Sequence, residues 1–269
     1  MDLNTVKRVA IAAAYRGSAV IRNQLGRPSR IKKKGAIDLV TEADTRSEMV
    51  LTETILKTFP DHTIVAEEGG LKKGRGDHVW FVDPLDGTTN FAHKLNVFAI
   101  SIAFCLRGDI MVGVVLNPCS GELFGAIKNQ GAFLNGRPIH VSATRTVADS
   151  LLATGFPYNV RHILNPVTRR FMNCLKASQG IRRLGSAAVD LCAVACGRFD
   201  AFWEQNLNSW DTAAGTLIAL EAGAVVTDFS NNRFTIDNKE ILATNGHIHQ
   251  EMISLLDIRN HESLPDSSF

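Results

Sequence analysis

The run Trp80-Phe81-Val82-Asp83-Pro84-Leu85-Asp86-Gly87-Thr88-Thr89-Asn90-Phe91 ends an apolar stretch in two carboxylates three positions apart. A glycine and two hydroxyl residues follow at once. Asp83 and Asp86 are hard oxygen donors of the kind Mg²⁺ takes. Gly87 has no Cβ and lets the backbone come close to a ligand. The backbone N–H groups of Thr88 and Thr89 would meet a phosphate at a helix start. Pro84 fixes its own φ and biases Asp83 toward an extended conformation. The segment reads as a rigid corner, with anionic metal ligands on one side and anion-binding amides on the other. Taken alone, an Asp-Gly pair after a strand is most often a turn.

Two further segments share the pattern. Ile64-Val65-Ala66-Glu67-Glu68-Gly69-Gly70 is a short apolar run ending in carboxylates and glycine, and its plain alternative is a solvated loop. Ser209-Trp210-Asp211-Thr212-Ala213-Ala214-Gly215 places Asp211 just before a small-residue helical run, where its plain alternative is a helix N-cap. Three apolar segments that each end in acid beside glycine or a helix start point to a site where strands stop and helices begin.

The elements that must carry these corners are legible as mixed α/β. Apolar residues at helical spacing predict a helix over 3–25, ended by Gly26-Arg27-Pro28-Ser29, and a second over 41–59, stopped by Pro60. Residues 30–38 read as a mobile loop or weak hairpin. From 97 to 142 the pattern is that of antiparallel strands, at 98–106, 110–116, 123–127 and 132–133. Helices follow at 167–178, 187–196 and 213–222, with strands at 200–203, 225–226 and 241–244. A last helix covers 247–258, and 262–269 reads as a frayed tail. The 269 residues are expected to form one catalytic domain whose halves meet near 145–150, with the site between them.

Composition narrows the class. Hydrophobic content of 45%, charged content of 21% and a net charge of +2 describe an ordinary globular chain. With no basic run longer than Lys32-Lys33-Lys34, nucleic-acid binding has little electrostatic support. The apolar stretch Val9–Ala14 is short and broken by Arg16, so it reads as part of an amphipathic helix and not as a signal or membrane span. Five cysteines without a C-x-x-C pair, and no secretory signal, favour the reducing cytoplasm.

These motifs resemble those of the inositol monophosphatase family, the Mg²⁺-dependent, lithium-sensitive phosphatases of small sugar and inositol phosphates. Trp80 to Phe91 follow its first signature and Trp210 to Ala214 its second. Ala66-Glu67-Glu68 matches its G-E-E element except for the leading alanine. The resemblance runs from the Asp38-Leu39-Val40-Thr41 stretch to Ala243-Thr244-Asn245, and Gly180 to Ala188 looks most like bacterial members. It implies a layered α-β-α-β-α sandwich of the sugar phosphatase type.

For the site the resemblance implies two or three Mg²⁺ ions. Glu67, Asp83 and the Leu85 carbonyl oxygen would hold the first. Asp83, Asp86 and Asp211 would hold the second, with Asp83 bridging, and Glu67 would help a weak third. It pairs Thr88 with Asp44 to activate water, with Glu67 touching the same water. Thr88 alone is equally an N-cap, and Asp44 alone a first-turn acid. Phosphate would rest on the amides of Gly87 and Thr88, and the polyol on Gly185, Ser186, Ala187 and Glu204, with Asp211 at its side. Lys33 and Asp38 fall in a loop that closes over the metals. Arg182 and Arg183 are available for a second phosphate or a partner subunit, and His93 stays outside the site. The expected reaction is hydrolysis of myo-inositol monophosphate by a homodimer. The alternatives are a fructose-1,6-bisphosphatase or dual sugar phosphatase, and a regulatory protein that binds the transcription machinery.

Overall fold

The computed structural model describes residues 1–27, 31–33 and 39–258, the middle stretch by its backbone only. The Lys33 side chain, Asp38 and the 262–269 tail lie outside the described residues. The chain runs α1 (Leu3–Gln24), β1 (Ile31–Lys33), β2 (Leu39–Thr41), α2 (Glu42–Thr58), β3 (Thr63–Ala66), β4 (Gly70–Lys72), β5 (His78–Asp86), α3 (Thr88–Ala92), β6 (Ala99–Leu106), β7 (Asp109–Leu116), β8 (Leu123–Ile127), β9 (Ala132–Leu134) and β10 (Arg137–Ile139). It continues through β11 (Leu151–Thr154), α4 (Leu164–Ala177), β12 (Gly180–Arg182), α5 (Ala187–Ala195), β13 (Ala201–Gln205), α6 (Ser209–Glu221), β14 (Val225–Thr227), β15 (Glu240–Thr244) and α7 (His249–Leu256).

Strands β3 to β10 form one eight-stranded sheet in the order β10-β9-β8-β7-β6-β5-β3-β4, and a five-stranded sheet follows in the order β12-β11-β13-β15-β14. The β1–β2 pair is a separate antiparallel hairpin, in register Ile31↔Thr41. In the large sheet only β3 and β5 run parallel, and their ends carry Glu67 on one side and Asp83 on the other.

The central strands of the large sheet, β5 to β8, are buried on both faces and carry continuous apolar runs, while the edge strands β4 and β10 are largely exposed. Along β5, Trp80 and Val82 pack toward α1 and α2, and Phe81 packs toward α5 and α6. The apolar face of α1 is Val6, Ala10, Ala13, Ala14, Gly17 and Ile21, all fully covered or nearly so. Helices α5 and α6 lie between the two sheets, and α4 and α7 cover the outer face of the small one, where Leu152, Cys174, Trp203, Leu242 and Met252 form a third cluster. The layers are therefore α-β-α-β-α, as the resemblance implied. Small residues make the central layer thin. A Cβ on Gly113 of β7 would meet the Ala214 backbone oxygen at 2.7 Å, and one on Gly215 would meet Leu191 at 2.8 Å.

The structure extends the sequence reading in three places. Helix α6 begins at Ser209, not Ala213, so Asp211 stands inside its first turn. Helix α4 begins at Leu164, three residues before the predicted start. Strands β11 and β12 pair parallel, Leu152↔Ile181, where no strand was expected. Among the described residues, no helix is long and apolar enough to cross a membrane.

Candidate active site

A cavity of about 230 Å³ opens where the ends of β3 and β5 face the second sheet. Its walls include Glu67, Asp83, Leu85, Asp86, Gly87, Thr88, Gly185, Ser186, Ala187, Glu204 and Asp211. Of the expected site residues, Asp44 alone is not in the wall; it reaches the cavity through Thr88.

Each side chain is aimed by its element. Helix α2 starts with a capping box, in which Thr41 Oγ1 accepts from Ala43 N at 3.1 Å and Asp44 Oδ2 accepts from Thr41 N at 2.8 Å and Thr41 Oγ1 at 2.6 Å. That leaves Asp44 Oδ1, which accepts from Thr88 Oγ1 at 2.8 Å. The Thr88 hydroxyl also lies 3.0 Å from the Leu85 carbonyl oxygen. Asp44 thus does both jobs the sequence left open, first-turn acid with one oxygen and threonine partner with the other. Burial pushes its carboxyl above the usual range, against its hydrogen bonds to Thr41 and Thr88.

Gly87 sits at φ +97°, a left-handed conformation, and a Cβ there would lie 3.1 Å from Val97 O and 3.2 Å from Gly185 O. Only glycine turns this corner. Behind it the Asn90 side-chain amide donates to Val97 O and Leu184 O, each at 2.7 Å, and so ties the first sheet's corner to the loop before α5. Asp83 Oδ1 accepts from Leu85 N at 2.9 Å. Asp86 Oδ2 accepts from Ser186 Oγ and Ala188 N, both at 2.7 Å. Asn208 is the N-cap of α6, and its own N–H donates to Asp211 Oδ2 at 2.7 Å.

The carboxylates repel one another in a poorly hydrated space. Asp83, almost fully buried, is pushed well up by desolvation and then by Glu67, Asp86 and Asp211. Desolvation raises Asp86 to about 6 against its bonds to Ser186 and Ala188, and raises Asp211 to about 8. Glu204 rises to about 8 by burial, eased by the Arg183 guanidinium. Oxygen donors gathered in one buried wall fit a hard divalent cation. Among the described residues, no three acid, His or Cys side chains close on one point.

Sequence reasoning missed Gly155, Phe156, Pro157, Tyr158 and Asn208 in the wall. A Cβ on Gly155 would collide with the Glu204 carboxylate, so this glycine serves close approach. Asn208, three residues before Asp211, was a readable capping signal. Arg183 lines the cavity and lies over the Phe156 ring at 5.7 Å; Arg182 and His93 are not in the wall.

A layered α/β fold with a carboxylate-walled cavity between its sheets is the arrangement of a phosphatase. The chain belongs to the inositol monophosphatase family, whose model matches residues 2–261. It is 45% identical over 258 residues to an inositol-1-monophosphatase of Synechocystis, covering 95% of this chain and 90% of the relative. It is 38% identical to the Nus factor SuhB of Pseudomonas aeruginosa, over 92% of this chain and 94% of that one. The solved structure of an inositol monophosphatase from Anabaena superposes with a TM-score of 0.87 at 40% identity, covering 95% and 96% of the two chains.

Proposed function

We propose that this chain hydrolyses myo-inositol monophosphate to inositol and phosphate, with Mg²⁺ as cofactor. The observation that carries the reading is the meeting, in one cavity, of Glu67, Asp83, Asp86 and Asp211 with a threonine whose hydroxyl donates to a buried aspartate. Glu67, Asp83, the Leu85 carbonyl oxygen, Asp86 and Asp211 would hold two or three ions, with Asp83 shared. Bound Mg²⁺ acidifies water and neutralises charge that develops on the phosphoryl group.

The chain's own groups do the rest. The Thr88 hydroxyl is within donor reach of Asp44 Oδ1 and of the Leu85 carbonyl oxygen, and when it donates to Asp44 it keeps a lone pair to accept the proton of the attacking water. As that proton arrives, Thr88 can pass its own to Asp44, whose burial favours the protonated form. Glu67 orients the same water. The water oxygen bonds to phosphorus as the ester P–O bond breaks, and a solvent water protonates the departing alkoxide, giving inorganic phosphate and the free alcohol. The amides of Gly87 and Thr88 receive the phosphate. Gly185, Ser186, Ala187, Glu204 and Asp211 hold the polyol, where ring hydroxyls donate to the carboxylates. Lithium inhibition, a homodimer and a cytoplasmic location belong to the same reading.

A phosphate-release assay over sugar phosphates, with and without Mg²⁺, tests this. Inositol 1-phosphate should be turned over fastest, only with Mg²⁺, and Asp83→Asn should abolish it. Faster turnover of fructose 1,6-bisphosphate would move the chain to the dual sugar phosphatases. A second reading, association with the transcription machinery, is supported by relatives that carry the name Nus factor SuhB. A partner from that machinery retained by Asp83→Asn would make it a separate role.

A further inference from the structure

Helix α2 offers more than Asp44 to the site. Asp44, Ser47 and Glu48 stand one turn apart on one face, and all three are buried. Each touches a different corner. Asp44 holds Thr88, and Ser47 Oγ donates to the Pro84 carbonyl oxygen at 3.1 Å, inside the Asp83–Asp86 turn. Glu48 accepts from Glu68 N with Oε2 at 2.7 Å and from Gly69 N with Oε1 at 2.6 Å.

Glu48 therefore grips the two amides that follow Glu67. Just before them, Glu67 N donates to Val82 O at 3.3 Å, so the chain leaves the sheet at Glu67 and is caught at once. Gly69 has no positive φ; a Cβ there would stand 2.6 Å from Glu48 Oε1, so a side chain at this position would displace that carboxylate. Burying the Glu48 carboxylate costs electrostatic energy. Two charge-assisted backbone bonds compensate it, and they set where the Glu67 side chain begins.

We propose that Glu48 is a positioning residue that fixes Glu67, through the Glu68 and Gly69 amides, for its metal and its water. The inference rests on the metal-dependent reading above. Partners that orient metal ligands typically alter affinity by about 10–100-fold when removed. Glu48→Gln is the sharp test, because it keeps the shape but puts an NH₂ donor against one of the two N–H donors.

The experiment titrates the purified full-length protein with Mn²⁺ alone, by calorimetry, and measures Mg²⁺ activation of turnover and amide exchange at residues 68 and 69. Glu48→Gln should weaken Mn²⁺ binding by about 10–100-fold. It should raise the half-saturating Mg²⁺ concentration in step and speed exchange at both amides. At saturating Mg²⁺ the substrate KM should stay unchanged. Gly69→Ala, which displaces the same carboxylate from the other side, should give the same signature. Leu51→Ala removes core packing from α2 and serves as the control for lost stability. Wild-type Mn²⁺ binding in Glu48→Gln would overturn the proposal. So would an equal loss in Leu51→Ala at a matched fall in Tm. A wild-type protein that bound no Mn²⁺ would overturn the phosphatase reading itself, and the role of Glu48 with it.

Discussion

Glu204→Gln separates the cost of the site from its use. Glu204 is buried on β13, and its carboxyl rises from 4.5 to about 8 chiefly by desolvation. A raised carboxyl means that the native state holds a proton the unfolded chain has released. Stability contributed by that proton is complete below the unfolded value and is lost as pH rises through the folded one. Each pH unit in that window costs about 1.4 kcal/mol. From 4.5 to about 8 the ceiling is about 5 kcal/mol. Relaxation and water entry reduce this to about 2–5 kcal/mol. Glutamine has the same shape and no charge to bury. The metal-free variant should match wild type near pH 4.5 and exceed it at pH 9 by roughly 4–20 °C in Tm, at about 2–4 °C per kcal/mol. Thermal unfolding in chelator from pH 4.5 to 9 measures it. The variant should lose function as it gains stability. Its KM for inositol phosphate should rise about 3–10-fold, the worth of one neutral hydrogen bond. Parallel stability curves for the two proteins would refute the argument.

Two more outcomes follow from the geometry. Asp44→Asn keeps an acceptor for Thr41 yet cannot take a proton, so kcat should fall by about 10²–10⁴ with metal binding unchanged, read by steady-state kinetics. Gly87→Ala forces a Cβ into left-handed backbone between Val97 O and Gly185 O, and should cost at least about 1–3 kcal/mol by denaturant unfolding and most of the activity.

The corner from Trp80 to Phe91 was legible because its chemistry is local: apolar strand, proline, two acids, then a glycine at the turn. The long helices and the antiparallel strands β6 to β9 were legible from periodicity; β10 was not. Strands β11 and β12 were not, since four and three residues carry too short a pattern to show alternation. The start of α6 was hidden because Trp210 and Asp211 read as the end of an apolar run, although Asn208 caps the helix. Glu48 and Gly155 were invisible for a different reason. One is a glutamate on a helix, usually solvated, and the other a glycine without special φ. Their importance lies in what stands opposite them, which only the tertiary structure supplies.

Asp211 rides on α6, whose first turn is tied to β6 by the bond from Ser101 Oγ to Trp210 O at 3.2 Å. That helix is also squeezed between Gly113 below and Leu191 above. The gap separating carboxylates of different origin is thus gauged by the thickness of an almost bare backbone. A single methyl group added deep in the interior, touching no ligand, would act on catalysis as a spacer shim acts on a lock.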